Sequence, residues 1–422
     1  MAAAAGALPA ALAVARLRRI MLWLASFAGG FVFVEPSPYE IVALAALVVF
    51  FASGLPLRPG HLPLLFLLVL YNVGIAITLA PVLARDKALV WAVVSWFLTA
   101  TALFYACALA EDTERRLKVL LAGYTAAAVI VAAIAILGYF HLIPGAEATL
   151  LYGRAKGTFN DPNVLGPFLV LPSLLALRRV LTGRLLESVG GGALLALFAA
   201  ALFLTFSRGA WAHFVIAALI YALLLFYLSR NAGERRRVIA AGVIGALVLA
   251  LLVAALLSLR GVESLFAERA ALELSYDVGQ LGRFGRHLSG ALLALDQPFG
   301  IGPYEFARIF PEDPHNVYLN AFMTAGWLGG ISYLALVATT LWIGLRAALV
   351  EAPWRPMLLA AWATFAGVAI EGAIIDSDHW RHFWLLIGVL WAGAVAARAL
   401  RVAPSAATAY SPAPGRSVAQ PG

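Results

Sequence analysis

Four side chains in this sequence are of the types that could handle a phosphate-bearing donor and a hydroxyl acceptor. His315 lies in FPEDPHNVYLNAFMTAGWLGG (310–330), where two acids, two prolines and the pair His315–Asn316 run straight into a long apolar segment. Histidine exchanges a proton near neutral pH and suits abstraction of one from a hydroxyl. Arg208 stands between two apolar runs in TFSRGAWAHF (205–214), and Arg283 and Arg286 stand three apart in LGRFGRHLSGALLALDQP (281–298). A planar guanidinium makes paired, charge-assisted hydrogen bonds that match a diphosphate. It also stabilises the charge that develops on a departing one.

Each stretch has a plainer reading beside the chemical one. PEDPHN is also a stiff, non-helical approach to a helix that Asn316 caps. Arg208 is also a snorkelling arginine at a helix end, in the Ser207–Gly209 turn. Arg283 and Arg286 share one helix face, while Leu281, Phe284, Leu288, Leu292 and Leu295 form an apolar one. An interfacial helix of that kind puts its arginines on lipid phosphates. The following FGIGPYEF is too short and too far from a strand for a nucleotide loop, and a tight turn returning the chain to the bundle fits it better.

Other candidates carry less. Asn160, Asp161 and Asn163, in GTFNDPNVLG (157–166), could bind sugar hydroxyls or form a polar turn. Glu371 falls inside an apolar run, where a carboxylate flags function unless it sits near the outer surface and is wet. DSDHWRH (376–382) offers Asp376, Asp378, His379 and His382 as a metal set on paper. An outer loop with an interfacial Trp380 is the simpler reading, so no metal site is expected.

These residues must be held by a membrane-embedded scaffold. The chain of 422 residues is 63% hydrophobic and 12% charged, with mean hydropathy +0.90, whereas soluble domains are about half apolar and about a quarter charged. Runs such as ALLALFAAALFLTF do not alternate, which excludes a β-barrel and predicts an all-α polytopic membrane protein. Twelve apolar segments can be drawn, at 20–34, 41–56, 62–82, 88–109, 119–140, 164–180, 191–207, 210–228, 238–257, 316–345, 357–375 and 383–400. The sixth contains Pro167 and Pro172, which predicts a kink or a partly re-entrant segment. The N-terminus resembles a signal peptide, yet Arg16, Arg18 and Arg19 precede its apolar run without a clear cleavage site, so a retained first helix is expected. Cys107 is the single cysteine, which excludes an intrachain disulfide and a cysteine-based metal site.

Basic residues concentrate at the N-terminus, in the even-numbered loops and in the C-terminal tail. With the long loop set aside, the odd-numbered loops hold only Arg85, Lys87, Arg154, Lys156, Arg208 and Arg381. The positive-inside rule then puts both termini in the cytoplasm. Two large loops, 141–163 and 258–315, face outward. Residues 1–402 form one transmembrane bundle, and the Pro-, Ala- and Ser-rich 403–422 is expected to be a disordered cytoplasmic tail. Arg208, Arg283, Arg286 and His315 thus fall on the outer side.

The order TFSRGAW, then GRFGRH with PFGIGPYEF, then PHNVYLNAFMTAGWLGG resembles the O-antigen ligase and polymerase family of bacterial inner membranes, and GTFNDPNVLG resembles a loop of that family. The motif region runs from about 195 to 345. The resemblance implies a metal-independent, inverting glycosyl transfer in the periplasmic leaflet, with no cofactor and no nucleic-acid partner. The donor implied is a glycan on undecaprenyl diphosphate, and the acceptor lipid A-core or a growing glycan. His315 is implied as base or acceptor-positioning group, Arg208 and Arg283 as diphosphate grips, and Arg286, Asn316, Asn160 and Asn163 as substrate contacts. Ligase and polymerase share these motifs. A small-anion transporter is the alternative of another class.

Overall fold

The computed structural model describes residues 2–82, 85–269, 282–310 and 312–402. The predicted tail 403–422, Leu281 and Pro311 lie outside the described residues, as does the side chain of Arg283. The chain is helical almost throughout. In order, the helices are α1 (Ala2–Ala28), α2 (Pro38–Ala52), α3 (Leu62–Leu79), α4 (Asp86–Leu109), α5 (Thr113–Tyr139), α6 (Pro162–Thr182), α7 (Leu185–Phe203), α8 (Arg208–Tyr227), α9 (Ala232–Leu257), α10 (Arg260–Arg269), α11 (Arg283–Asp296), α12 (Phe306–Ile309), α13 (Val317–Ala348), α14 (Arg355–Glu371) and α15 (Arg381–Val402). Among the described residues, nine helices are long and apolar enough to cross a membrane, and α2 is a shorter apolar helix. A two-residue hairpin, β1 (Leu150–Leu151) with β2 (Arg154–Ala155), is antiparallel and joins Leu150 to Ala155.

The core lies between α3, α4, α6, α13, α14 and α15, where Trp384, Tyr71, Tyr333 and Phe168 are fully buried. Close approach relies on small residues, the usual device where lipid offers no hydrophobic drive between helices. A Cβ on Gly74 of α3 would stand 2.8 Å from the backbone nitrogen of Gly329 in α13.

Pro167 and Pro172, the residues of the predicted kink, lie inside one continuous helix, α6. Pro172 has no N–H to offer the Phe168 carbonyl. The Tyr124 hydroxyl donates to that carbonyl instead, at 2.9 Å, so a neighbouring helix satisfies the freed group.

The break lies in α13. Gly326 has φ +63 and ψ −170, outside the helical region and accessible essentially to glycine alone. The predicted FGIGPYEF turn docks there. Ile301 and Gly302 donate their N–H groups to the Met323 carbonyl at 2.8 and 3.0 Å, and Trp327 N–H donates to the Pro298 carbonyl at 2.8 Å. The Trp327 indole donates to the Ala294 carbonyl at 2.7 Å. Arg85, before α4, pairs with Glu305. The segment after α11 is therefore fastened to both α13 and the start of α4.

Candidate functional site

His315 sits one residue before the cap of α13. Asn316 is the N-cap, its Oδ1 accepting from the backbone N–H of Tyr318 and Leu319 at 3.1 Å each. That leaves the Nδ2 amide as the part of Asn316 that a ligand could use. The next N–H, of Val317, points at the carbonyls of Gly372 (2.9 Å) and Ile375 (3.2 Å), which ties the start of α13 to the loop between α14 and α15. His315 has φ +49, a left-handed conformation that costs a non-glycine residue energy and is concentrated at functional sites. Its side chain is 39% exposed, with Nδ1 3.4 Å from Asp376 Oδ2 and Nε2 3.9 Å from Glu312 Oε2.

Arg286 lies beside this histidine. The apolar stripe of α11 faces away from the protein, with Phe284, Leu288, Leu292 and Leu295 all more than half exposed. Arg286, on the other face, is 3% exposed and donates Nη1 to Glu312 Oε2 at 2.7 Å. The lipid-phosphate alternative for Arg286 is thereby corrected, because its charge is turned into the protein. Its buried Nε has no hydrogen-bond partner among the described residues. Glu312 thus bridges the arginine and the histidine. Arg283 begins α11, one turn before Arg286.

A group of acids completes the cluster. Burial pushes Asp313 up to about 6, with Asp376 and Asp378 adding to the rise and His315 and Arg286 opposing it. Asp376 is raised mainly by burial, the contact with His315 pulling the other way, and among the described residues its buried Oδ1 has no hydrogen-bond partner. Asp378 is buried, with His379 Nδ1 3.4 Å from its carboxylate. Burial lowers His379, but the charge and hydrogen bond of Asp378, the Trp91 carbonyl and the Glu35 charge together outweigh it, and the net shift is upward.

Arg208 is the first residue of α8, after the N-cap Ser207, whose hydroxyl accepts from Ala210 N–H at 3.3 Å. One turn further along, His213 is buried against Glu371. Its Nδ1 lies 2.9 Å from Glu371 Oε2, and its Nε2 lies 2.9 Å from the Thr364 carbonyl. A carbonyl only accepts, so Nε2 carries a proton. Nδ1 and the carboxyl then hold one further proton between them. Glu371 is 4% exposed, so the wet-surface alternative for it is corrected. A Cβ built on Gly209 would lie 2.9 Å from Glu371 Oε1, and the neighbouring Gly372 holds Val317 through its carbonyl. Arg208 and His315 are thereby linked through the end of α14.

The loop after α5 contributes a buried arginine that its sequence context did not flag. Arg154 donates Nε to the Thr205 carbonyl (2.8 Å) and Nη2 to Asn163 Oδ1 (2.7 Å). Asn163 is therefore occupied in holding Arg154, and Asp161 caps α6 through the Asn163 N–H at 2.6 Å. Asn160 is exposed.

Among the described residues no group of three His, Cys, Asp or Glu side chains is placed to hold a metal ion. The members of DSDHWRH diverge. Asp376 faces His315, Asp378 faces His379, and His382 is buried against Phe168 and Trp380.

Sequence composition and helix architecture together define an all-α, multi-pass membrane protein. Residues 193–334, about a third of the chain, match the O-antigen ligase family model. The matched region contains Arg208, Arg283, Arg286, Glu312 and His315, while Asp376 and Glu371 lie beyond it. No curated protein matches the chain.

Proposed function

We propose that the protein transfers a glycan from a polyprenyl diphosphate, undecaprenyl diphosphate in bacteria, to a sugar hydroxyl at the outer face of the inner membrane. Ligation to lipid A-core is the favoured reaction. The observation that carries this reading is the cluster at the start of α13, where Arg286, Glu312 and His315 come from the region that matches the O-antigen ligase model and Asp376 joins them from beyond it. His315 Nδ1 turned to Asp376 leaves Nε2 to take the acceptor proton. The acceptor oxygen then attacks the anomeric carbon, the bond from that carbon to the diphosphate oxygen breaks, and the diphosphate leaves with its electron pair. Arg208, Arg283 and Arg286 grip the diphosphate and stabilise the charge it gains. Asn316 Nδ2 and Asn160 are the remaining candidates for sugar hydroxyls.

Polymerisation of repeat units uses the same groups with a growing glycan as acceptor. Anion transport has less support. A broken helix could expose backbone groups to an ion, but the break in α13 has Met323, Thr324 and Trp327 bound by Ile301, Gly302, Thr78 and Pro298.

The test is complementation of a host deletion with wild type, His315→Ala and Arg208→Ala, each checked for expression and membrane insertion. Uncapped lipid A-core with accumulating lipid-linked polymer identifies a ligase. Lipid A-core capped by single repeat units identifies a polymerase. Transfer by His315→Ala is expected to fall by about 10²–10⁴. Wild-type polysaccharide from both variants overturns the proposal.

A further inference from the structure

At the end of the bundle opposite His315, α3, α13 and α15 leave a groove of about 470 Å³ between them. Arg346, which lines it, is roughly 40 Å of helix away from Val317. The lining is apolar around Trp342, Ile343 and Val395, and it contains three arginines, Arg346, Arg398 and Arg401, with no acid. All three are exposed, and none of them enters an ion pair among the described residues. The Arg346 guanidinium lies 5.7 Å from the centre of the Trp342 ring.

Two neighbouring grooves at this end differ in charge balance. One is lined by Arg18, Arg19, Arg115 and Arg116 together with Asp112, and Glu111 lies 3.7 Å from Arg18 and 2.9 Å from Arg116. The other contains Arg178, Arg237 and Arg355 together with Glu234. The α3–α13–α15 groove gathers three cations on an apolar wall without a counter-charge. Residues 403–422, which follow it, carry no acidic side chain. A ligand with an anionic group and an apolar part fits that lining.

We infer that this groove binds one anionic phospholipid, with its phosphate among Arg346, Arg398 and Arg401 and an acyl chain along Trp342, Ile343 and Val395. Guanidinium groups match phosphate oxygens in pairs, and clustered basic residues at a membrane surface select anionic lipids. The site is remote from the proposed transfer chemistry and does not depend on it.

The experiment titrates the purified full-length protein in detergent with phosphatidylglycerol and, separately, phosphatidylcholine, and counts bound lipid by native mass spectrometry. One phosphatidylglycerol should bind at least about tenfold more tightly than phosphatidylcholine. The triple variant R346Q/R398Q/R401Q should lose that preference, and R346K/R398K/R401K should keep most of it. Thr339→Trp fills the groove while leaving every arginine in place, and should also abolish it. Equal affinity of the wild type for the two lipids overturns the inference. So does an unchanged preference in Thr339→Trp, which would mean attraction to surface charge alone. Displacement of the lipid by inorganic phosphate at the same concentration would make the ligand a soluble anion and overturns it as well. If the glutamine variant cannot be purified, the wild-type ratio and Thr339→Trp still decide.

Discussion

Asp376 Oδ2 lies 3.4 Å from Nδ1 of His315, and the two are brought together by the Val317 N–H, which reaches the carbonyls of Gly372 and Ile375 on either side of the turn after α14. A carboxylate behind an imidazole fixes which nitrogen carries the proton and steadies the ring as it becomes cationic. Asp376→Asn is expected to lower the transfer rate by on the order of 10² while leaving donor binding in place. Asp376→Glu should recover part of the loss. Single-turnover transfer from a lipid-linked donor, compared with donor retention on the same membranes, separates the two effects. Equal rates for Asp376→Asn and wild type would remove Asp376 from the site.

Glu312 holds the buried Arg286 and reaches toward His315. Glu312→Ala should leave Arg286 without its ion-pair partner and cost about 1–3 kcal/mol. This is read as a lower melting temperature in detergent. Arg286→Met with Glu312→Ala should restore much of that stability without restoring transfer.

The pair His213–Glu371 shares a proton inside the bundle. Glu371→Gln keeps the geometry, because an amide N–H can donate to Nδ1 while Nε2 still donates to Thr364. Its expected cost is about 1 kcal/mol or less. Glu371→Ala removes the partner and is expected to cost about 3–5 kcal/mol. Thermal unfolding of both variants gives the comparison, and equal losses would contradict the proton assignment.

Asp313 is held above its ordinary 3.8, at about 6. The folded state therefore binds this proton more tightly than the unfolded chain does. The stabilising contribution is complete below 3.8 and declines as pH rises through about 6. Asp313→Asn should flatten the stability profile between those values and make the protein more stable than wild type at pH 7. Melting temperatures across that range test the sign.

Gly326→Ala places a Cβ on a backbone with φ +63, 2.8 Å from the Phe299 carbonyl carbon. The turn at Pro298–Gly302 then has to leave α13. Folded protein recovered from membranes should fall sharply, and Gly329→Ser, also in α13 but outside the break, provides a comparison of a different kind.

Much of this could be read along the chain. Each of the twelve apolar segments overlaps a helix, because apolar length is a local property, and nine of the described helices are long and apolar enough to cross a membrane. His315 and Asn316 stood out because they adjoin an apolar run, and the α11 stripe followed from helical spacing alone. The partners did not stand out. Asp376 reaches His315 only after α13 and α14 have folded back, and His213 finds Glu371 across α8 and α14. Nothing in the spacing of DSDHWRH says that its first aspartate turns to one histidine and its second to another. The same limit applies to α6, where Tyr124, a helix away, donates to the carbonyl that Pro172 leaves without its helical partner, and to Asn163, whose partner Arg154 is set by a hairpin too short to leave a period.

The outward stripe of α11 fixes a height. Phe284, Leu288, Leu292 and Leu295 suit the depth where acyl chains begin, and Arg286 faces inward on the other side of the helix. In the proposed transfer a donor carried on a lipid would reach the site by sliding within the leaflet, its supply counted per area of membrane instead of per volume of water. Bilayer thickness and fluidity would then enter the rate beside substrate concentration.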